Sequence, residues 1–399
     1  MKKRILVWPA NTEIGLEIGH AFKGQTHFEV IGASSGPGPA DHVFDTHLHF
    51  AVSANQYYVL DEWLKSIGLE FDFIYPAHDD ATLYGGDIPI IGSAGGTSRT
   101  CRSKILTYYA VEDTVQCPAF FHHPDGLFKK PVFGQGSEGA NVAASGSEFV
   151  SEYLPGSEFT IDCLTDRHGV LCYCQPRTRA RIKSGITVET EFADRPDLVA
   201  MGEKINAAIS LRGAWFFQIK ERADGTPVLL EVGCRPAGSS GINRAIGVNL
   251  PLLAAYDACG IDIDVMPGKY TVSACRSLTT HFKTDLEFDT VYCDIDDTLF
   301  VGGEICPKML AVLVQLFNEG KSIKFLTRGD GGGVYDSRVL NAGRLLGANI
   351  DLVPKGGKSE YISGKAIFID DSHAERKEVH EATGIPVFSP QQAIDLWLK

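Results

Sequence analysis

A chain of 399 residues is long enough for two or three domains with sizeable cores, and 44% hydrophobic with 22% charged residues is the balance of a globular protein. The formal net charge of −13 argues against a broad nucleic-acid surface or an anionic membrane as partner, so any phosphate site must be a local basic island. No stretch approaches a membrane span, and the apolar run after Met1-Lys2-Lys3-Arg4 is too short for a signal peptide. Ten cysteines without a C-x-x-C pair point to free thiols in a reducing cytoplasm.

Over residues 1–95 strands and helices alternate, with strands expected at 5–8, 29–32 and 71–76 and helices at 12–22 and 57–67, the first capped by Thr12. That alternation predicts a small parallel α/β sheet. His47-Leu48-His49 places two imidazoles on one face of a strand, a spacing some metal sites use, although no third ligand stands nearby in sequence. Asp79-Asp80 follow the third strand at its carboxyl edge, where α/β sheets place ligands; a solvated loop is the plainer alternative. A helix is expected over 97–113, with Arg102 and Lys104 in its early turns.

The run Lys130-Pro131-Val132-Phe133-Gly134-Gln135-Gly136-Ser137-Glu138-Gly139 joins a lysine and a short apolar strand to three glycines. Such glycines let backbone N–H groups approach an anion, and the lysine adds a mobile charge for phosphate oxygens. The run also satisfies G-x-G-x-x-G, but that fingerprint needs a helix opening at the glycines. Residues 140–152 hold Gly146 and three serines and read as short strands around a turn, so a phosphate-covering loop is expected.

Glu152-Tyr153-Leu154-Pro155-Gly156-Ser157-Glu158 reads as a connecting segment, and strands at 159–165 and 170–175 form a hairpin across Asp166-Arg167-His168-Gly169. Arg177, Arg179 and Arg181 share one face of an extended chain and concentrate positive charge there. After a helix at 196–211, strands at 215–221 and 227–232 pair, so that Gln218 and Glu231 face each other just before Gly233-Cys234-Arg235.

Lys104, Lys130 with its glycine loop, the 152–158 segment, Gln218, Glu231 and Arg235 fall in the order of the ATP-grasp superfamily, which residues 1–280 resemble. The resemblance is closest to the carboxylate–amine ligase and carbamoyl-phosphate-synthase-like branch. It implies ATP and Mg2+, with Lys104 and Lys130 on the phosphates and the loop through Gly134, Gly136, Ser137 and Gly139 closing over them. Glu152, Tyr153 and Leu154 would meet the adenine, Glu158 the ribose, and Gln218 and Glu231 the magnesium. Arg235 would steady the transferred phosphoryl group. Where the family often has Glu-x-Asn-Pro-Arg, Gly233 replaces the Asn ligand, so water completes a second metal site or a single magnesium dominates.

A polar linker at 281–289 leads into Thr290-Val291-Tyr292-Cys293-Asp294-Ile295-Asp296-Asp297-Thr298, an apolar strand running into D-x-D-x-T. Two carboxylates at one strand tip suit different roles, one as nucleophile and one as proton donor and acceptor. Further strands end at Thr327 and at Asp370-Asp371, and Lys358 opens an expected helix. Residues 286–399 resemble the haloacid-dehalogenase (HAD) phosphohydrolase superfamily. The resemblance implies Asp294 as nucleophile, Asp296 as general acid/base, and Thr327 with Lys358, or Lys355 in its place, on the phosphoryl group. Asp294, Asp296 and Asp370 would line the Mg2+ site.

The expected architecture is multi-domain α/β: a pre-ATP-grasp α/β domain over 1–95, an ATP-grasp α+β domain over 96–280 and a HAD-like Rossmannoid α/β domain over 286–399. The expected function is bifunctional, an ATP-dependent carboxylate–amine ligase and a magnesium-dependent phosphatase. Its partners would be a small-molecule carboxylate and amine and a phosphate ester, with no nucleic acid and no membrane; a homodimer stays open. A non-catalytic HAD scaffold, an ATP-sensing protein and, last, a dehydrogenase are the alternatives.

Overall fold

The computed structural model describes residues 2–121, 128–132, 148–183, 186–329, 336–353 and 356–398. The chain divides into two compact units, Met1–Leu278 and Thr279–Lys399.

The first unit opens with β1 (Lys3–Trp8), α1 (Glu13–Ala21), β2 (Phe28–Ser34), β3 (His47–His49), α2 (Leu60–Ile67) and β4 (Phe73–Pro76). The strands form a parallel sheet in the order β3-β2-β1-β4. A parallel sheet is covered on both faces, and β1 reads accordingly. Ile5 and Val7 enter one apolar cluster, and Leu6 and Trp8 enter the other. Thr12 caps α1 by accepting from the Gly15 N–H. A 3₁₀ segment, Ala54–Val59, takes up the start of the helix expected from 57, and α2 begins at Leu60.

The single helix expected over 97–113 is two helices, α3 (Gly95–Arg102) and α4 (Lys104–Val111). Ser103 separates them with extended backbone (φ −101°, ψ 115°), and its hydroxyl accepts from the Leu106 N–H. The serine therefore starts a new helix, and Lys104 becomes the first residue of α4.

Next come β5 (Phe120–Phe121), β6 (Phe128–Pro131) and β7 (Glu148–Ser151), which form an antiparallel sheet in the order β5-β7-β6. The chain continues through β8 (Glu158–Thr165), β9 (Leu171–Thr178), β10 (Arg181–Lys183), β11 (Ile186–Glu191) and α5 (Pro196–Ala208). It then runs through β12 (Gly213–Glu221), β13 (Pro227–Gly233), α6 (Leu250–Ala258) and β14 (Ser273–Cys275). The central sheet is antiparallel, β13-β12-β8-β9. Its odd-numbered face carries Phe159, Ile161, Cys163, Trp215, Phe217 and Ile219, packed with Leu198, Met201 and Ile205 of α5. The opposite face starts apolar, where Leu164, Tyr173 and Ala214 share a core with Ile5, Val7, Ile18 and α6. It becomes polar toward Glu158.

The second unit contains β15 (Thr290–Cys293), the small hairpin β16 (Phe300–Val301) and β17 (Glu304–Ile305), α7 (Pro307–Asn318), β18 (Ser322–Thr327) and α8 (Ser337–Leu345). It ends with β19 (Asn349–Leu352), β20 (Ala366–Ile369), α9 (His373–Thr383), β21 (Val387–Phe388) and α10 (Pro390–Trp397). The main sheet is parallel, β19-β18-β15-β20-β21. Val291, Cys293, Ile323, Phe325, Ile367 and Ile369 fill one side with the α7 stripe Met309, Val312, Leu313 and Leu316. Tyr292 and Phe368 fill the other. Among the described residues no helix is long and apolar enough to cross a membrane.

Candidate functional site

On the polar face of the central sheet, Glu231, Gln218, Thr160 and Arg177 stand in one row, each the cross-strand partner of the next. Residues two apart along a strand share a face, so Glu158 and Asp162 flank Thr160 on that side. Lys104, set at the start of α4 by the Ser103 cap, reaches Glu231 with its Nζ 3.3 Å from Oε2. The Lys104 N–H also donates to the Val132 carbonyl at 3.3 Å, which ties α4 to the chain just past β6. Lys130 lies in β6 opposite Phe149 of β7. Gly134, Gly136, Ser137 and Gly139 lie outside the described residues.

The 152–158 segment runs beside the far end of β12, where the Gly156 N–H donates to the Glu221 carbonyl at 2.9 Å. Glu152 pairs with Arg222 at 2.8 Å, Tyr153 is exposed and Leu154 is buried. Glu158 pairs with Arg179, Nε to Oε1 2.8 Å. Burial pushes the Arg179 guanidinium below its ordinary range, with Glu158 and Glu231 opposing that shift.

The three arginines expected to make a cationic face have separate fates. Arg177 is buried against Asp162 at 2.7 Å, Arg179 is held by Glu158, and exposed Arg181 faces Glu189 at 3.4 Å. Each charge is met by a carboxylate from a neighbouring strand, so no excess of positive charge builds up there. Asp79 and Asp80 likewise form ion pairs, with Arg235 at 2.8 Å and Arg102 at 2.6 Å. The residue that joins His47 and His49 as a third candidate ligand is Asp41, in the 3₁₀ segment Pro39–His42 before β3, 2.7 Å from His47 Nδ1 and 3.5 Å from His49 Nε2.

In the second unit the sheet order reverses between β15 and β20, and open α/β sheets bind ligands outside strand carboxyl ends at such a point. Asp294 leaves β15 there and Asp370 leaves β20. Buried Lys358 bridges them, with Nζ 2.8 Å from Asp294 Oδ1 and 2.7 Å from Asp370 Oδ2. Lys358 opens a single 3₁₀ turn, Lys358–Tyr361, rather than the expected helix. The Thr327 hydroxyl, at the end of β18, lies 3.4 Å from Asp296 Oδ2. Asp297 takes a left-handed backbone (φ 57°), a strained conformation for a residue with a side chain, directly beside these acids. Lys355 lies outside the described residues.

Asp294, Asp370 and Asp371 each place a carboxylate oxygen within 4.8 Å of the others, an all-oxygen donor set that fits Mg2+. Asp371 is a ligand candidate that the sequence pattern did not single out. Its N–H donates to the buried Thr298 hydroxyl at 3.0 Å, so the last residue of D-x-D-x-T orients the third carboxylate.

Burial raises the Asp294 carboxyl from 3.8 to about 7, with Lys358 opposing and Asp370 adding to the rise. Because the folded value lies above the unfolded one, metal-free protein loses stability as pH rises between these values. Asp294→Asn should therefore stabilise the second unit by ~1–3 kcal/mol at pH 8 in EDTA. The gain should vanish toward pH 4, where Asp294 is protonated in the fold as well. Calorimetric melting across pH tests this; a gain independent of pH would contradict it.

A family model described as ATP-grasp in the biosynthetic pathway with Ter operon matches residues 147–280. Among solved structures, the biotin carboxylase domain of Hydrogenobacter thermophilus 2-oxoglutarate carboxylase, in complex with MgADP, ADP and bicarbonate, is similar at TM-score 0.57 and 13% identity. That match covers 69% of this chain and 74% of that one. N5-carboxyaminoimidazole ribonucleotide synthetase from Thermotoga maritima is similar at TM-score 0.52 and 12% identity, covering 68% and 80%. Rhizobium etli pyruvate carboxylase, with acetyl coenzyme A, aligns at TM-score 0.53 and 16% identity; 66% of this chain spans only 29% of that protein. No curated protein matches in sequence. About two thirds of the chain shares an ATP-grasp-like fold with these proteins.

Within that fold, Gly233 has a packing reason. A Cβ there would lie 2.7 Å from Cζ of buried Phe216, whose ring carries the Arg235 guanidinium at 5.1 Å. Arg235 is further held by a two-point contact to Asp79 (Nε to Oδ1 and Nη2 to Oδ2, both 2.8 Å). Burial pushes the Asp79 carboxyl up, but Arg235 outweighs it and holds Asp79 below the ordinary range. Gly233→Asn, the substitution toward Glu-x-Asn-Pro-Arg, should cost ~1–3 kcal/mol through overpacking rather than add a metal ligand. A melting temperature unchanged in Gly233→Asn would contradict this.

Proposed function

We propose that residues 1–278 form an ATP-dependent ligase that joins a carboxylate to an amine. The observation that carries it is the row Glu231–Gln218–Thr160–Arg177 with Lys104 on Glu231. Lys104 and Lys130 would hold the ATP phosphates, and Glu152, Tyr153, Leu154 and Glu158 the nucleoside. A carboxylate oxygen attacks the γ-phosphorus and the bond to ADP breaks, giving an acyl phosphate. The amine nitrogen then attacks the acyl carbon, loses a proton and expels phosphate. Glu231 and Gln218 would hold magnesium, which offsets charge on the phosphoryl oxygens. Gly233 offers no side chain, which favours a single magnesium. Arg235 would reach the phosphoryl group by exchanging Asp79 for it.

We further propose that residues 279–399 are a HAD-type phosphohydrolase acting on a phosphate ester, on the strength of Lys358 bridging Asp294 and Asp370. Asp294 attacks phosphorus while Asp296 protonates the departing oxygen. Water, giving its proton to Asp296, then releases phosphate from Asp294. Thr327 and Lys358 would hold the phosphoryl oxygens, and Asp294, Asp370 and Asp371, with Asp296 beside them, would hold magnesium. Linking both activities in one chain suits consecutive steps on one small molecule.

The test is ADP release by the full chain against pools of carboxylates and amines, with p-nitrophenyl phosphate turnover read separately. A second reading, nucleotide binding without turnover, draws support from Arg235 being engaged by Asp79. ADP that accumulates only with both acid and amine present would exclude it.

A further inference from the structure

Thr160 Oγ1, Arg177 Nη1 and Ser240 Oγ are buried polar atoms without a hydrogen-bond partner among the described residues. They belong to one place. Arg177 Nε donates to Asp162 Oδ2 at 2.7 Å, and Asn243 Nδ2 donates to the same oxygen and to the Ser240 carbonyl, each at 2.8 Å. Thr160 is the cross-strand partner of Arg177. Glu17 of α1, ion-paired with Arg244, lies against Gly241, next to Ser240.

A guanidinium N–H can only donate, and a buried donor left unmade is costly. Asp162 already meets the Arg177 Nε, so what Arg177 Nη1 lacks is a further acceptor oxygen, and a charged one makes the stronger bond. Two hydroxyls beside it can donate to the same group. This set stands at the opposite end of the row from Glu231 and Lys104. Three strand spacings separate the two ends, about 14 Å between backbones. A single carboxylate does not reach both.

We infer that the acid substrate carries two anionic groups: the carboxylate to be activated at the Glu231 end, and a second oxyanion, carboxylate or phosphate, seated on Arg177, Thr160 and Ser240. This rests on the ligase reading of the same face and assigns its substrate class. Thr160, Ser240 and Arg177 then set specificity.

The test uses the full chain with MgADP and calorimetric titration of malonate, succinate, glutarate, adipate and phosphoglycolate against acetate, propionate and butyrate. At least one dianion should bind roughly tenfold or more tightly than every monoanion. Thr160→Val and Ser240→Ala leave the Arg177–Asp162 pair intact, and each should weaken the dianion roughly ten- to hundredfold while sparing monoanions. Whichever of the dicarboxylates or phosphoglycolate binds names the second group. Equal binding of mono- and dianions, no binding of any dianion, or an unchanged preference in both variants overturns the inference. ADP release measured with ATP and the amine pool on the same acids separates the two proposals. Dianion preference without ADP release removes the ligase and keeps the anion site. ADP release equal for mono- and dianions keeps the ligase and removes the site.

Discussion

Asp294→Asn should lower p-nitrophenyl phosphate hydrolysis by more than about a thousandfold while leaving ADP release by the first unit intact. The amide keeps the shape of the carboxylate but has no charge with which to attack phosphorus. It also leaves Lys358 one carboxylate partner, Asp370, in place of two. The same variant is expected to be more stable without metal, so loss of activity there would not trace to unfolding. Hydrolysis within tenfold of the parent would remove Asp294 as nucleophile. Parallel loss of ADP release would mean the substitution acts on the whole chain.

Glu231→Gln should lower acid- and amine-dependent ADP release by roughly a hundred- to a thousandfold. Glu231 is the only member of the row Glu231–Gln218–Thr160–Arg177 that both carries a negative charge and meets Lys104, at 3.3 Å. Glutamine matches its volume and its place opposite Gln218, so the strand pair is kept. The charge that would draw magnesium and align Lys104 is lost. The p-nitrophenyl phosphate turnover proposed for the second unit is the internal control and should not change. ADP release at the parent rate would place the phosphoryl chemistry elsewhere.

Much of the architecture could be read from period and punctuation. Short apolar runs at 5–8 and 290–293 marked buried parallel strands, and Gln218 opposite Glu231 followed from two strands and one turn. Local signals failed where a single residue outweighed a periodic pattern. Ser103 sits within a run that looks helical throughout, yet its hydroxyl caps α4 and divides the helix. Lys358 follows two glycines, and the turn it opens stops after one 3₁₀ winding.

Partners distant in sequence were harder still. That Arg177, Arg179 and Arg181 would each meet a carboxylate depended on Asp162, Glu158 and Glu189, which strand registers supply. Asp79 follows β4 and Arg235 follows β13, strands of different sheets, so nothing near either residue announced their pairing. Asp41 joins the His47–His49 group from a 3₁₀ segment, outside the strand pattern that drew attention to the histidines.

The apolar cluster that Ile5, Val7 and Ile18 share with Leu164, Tyr173, Ala214 and α6 limits how the gene can be cut. Starting expression at residue 96 would strip those side chains of their cover and yield an insoluble product. Dissecting the two proposed activities onto separate polypeptides therefore calls for a break in the exposed stretch near 279, with everything before it kept whole.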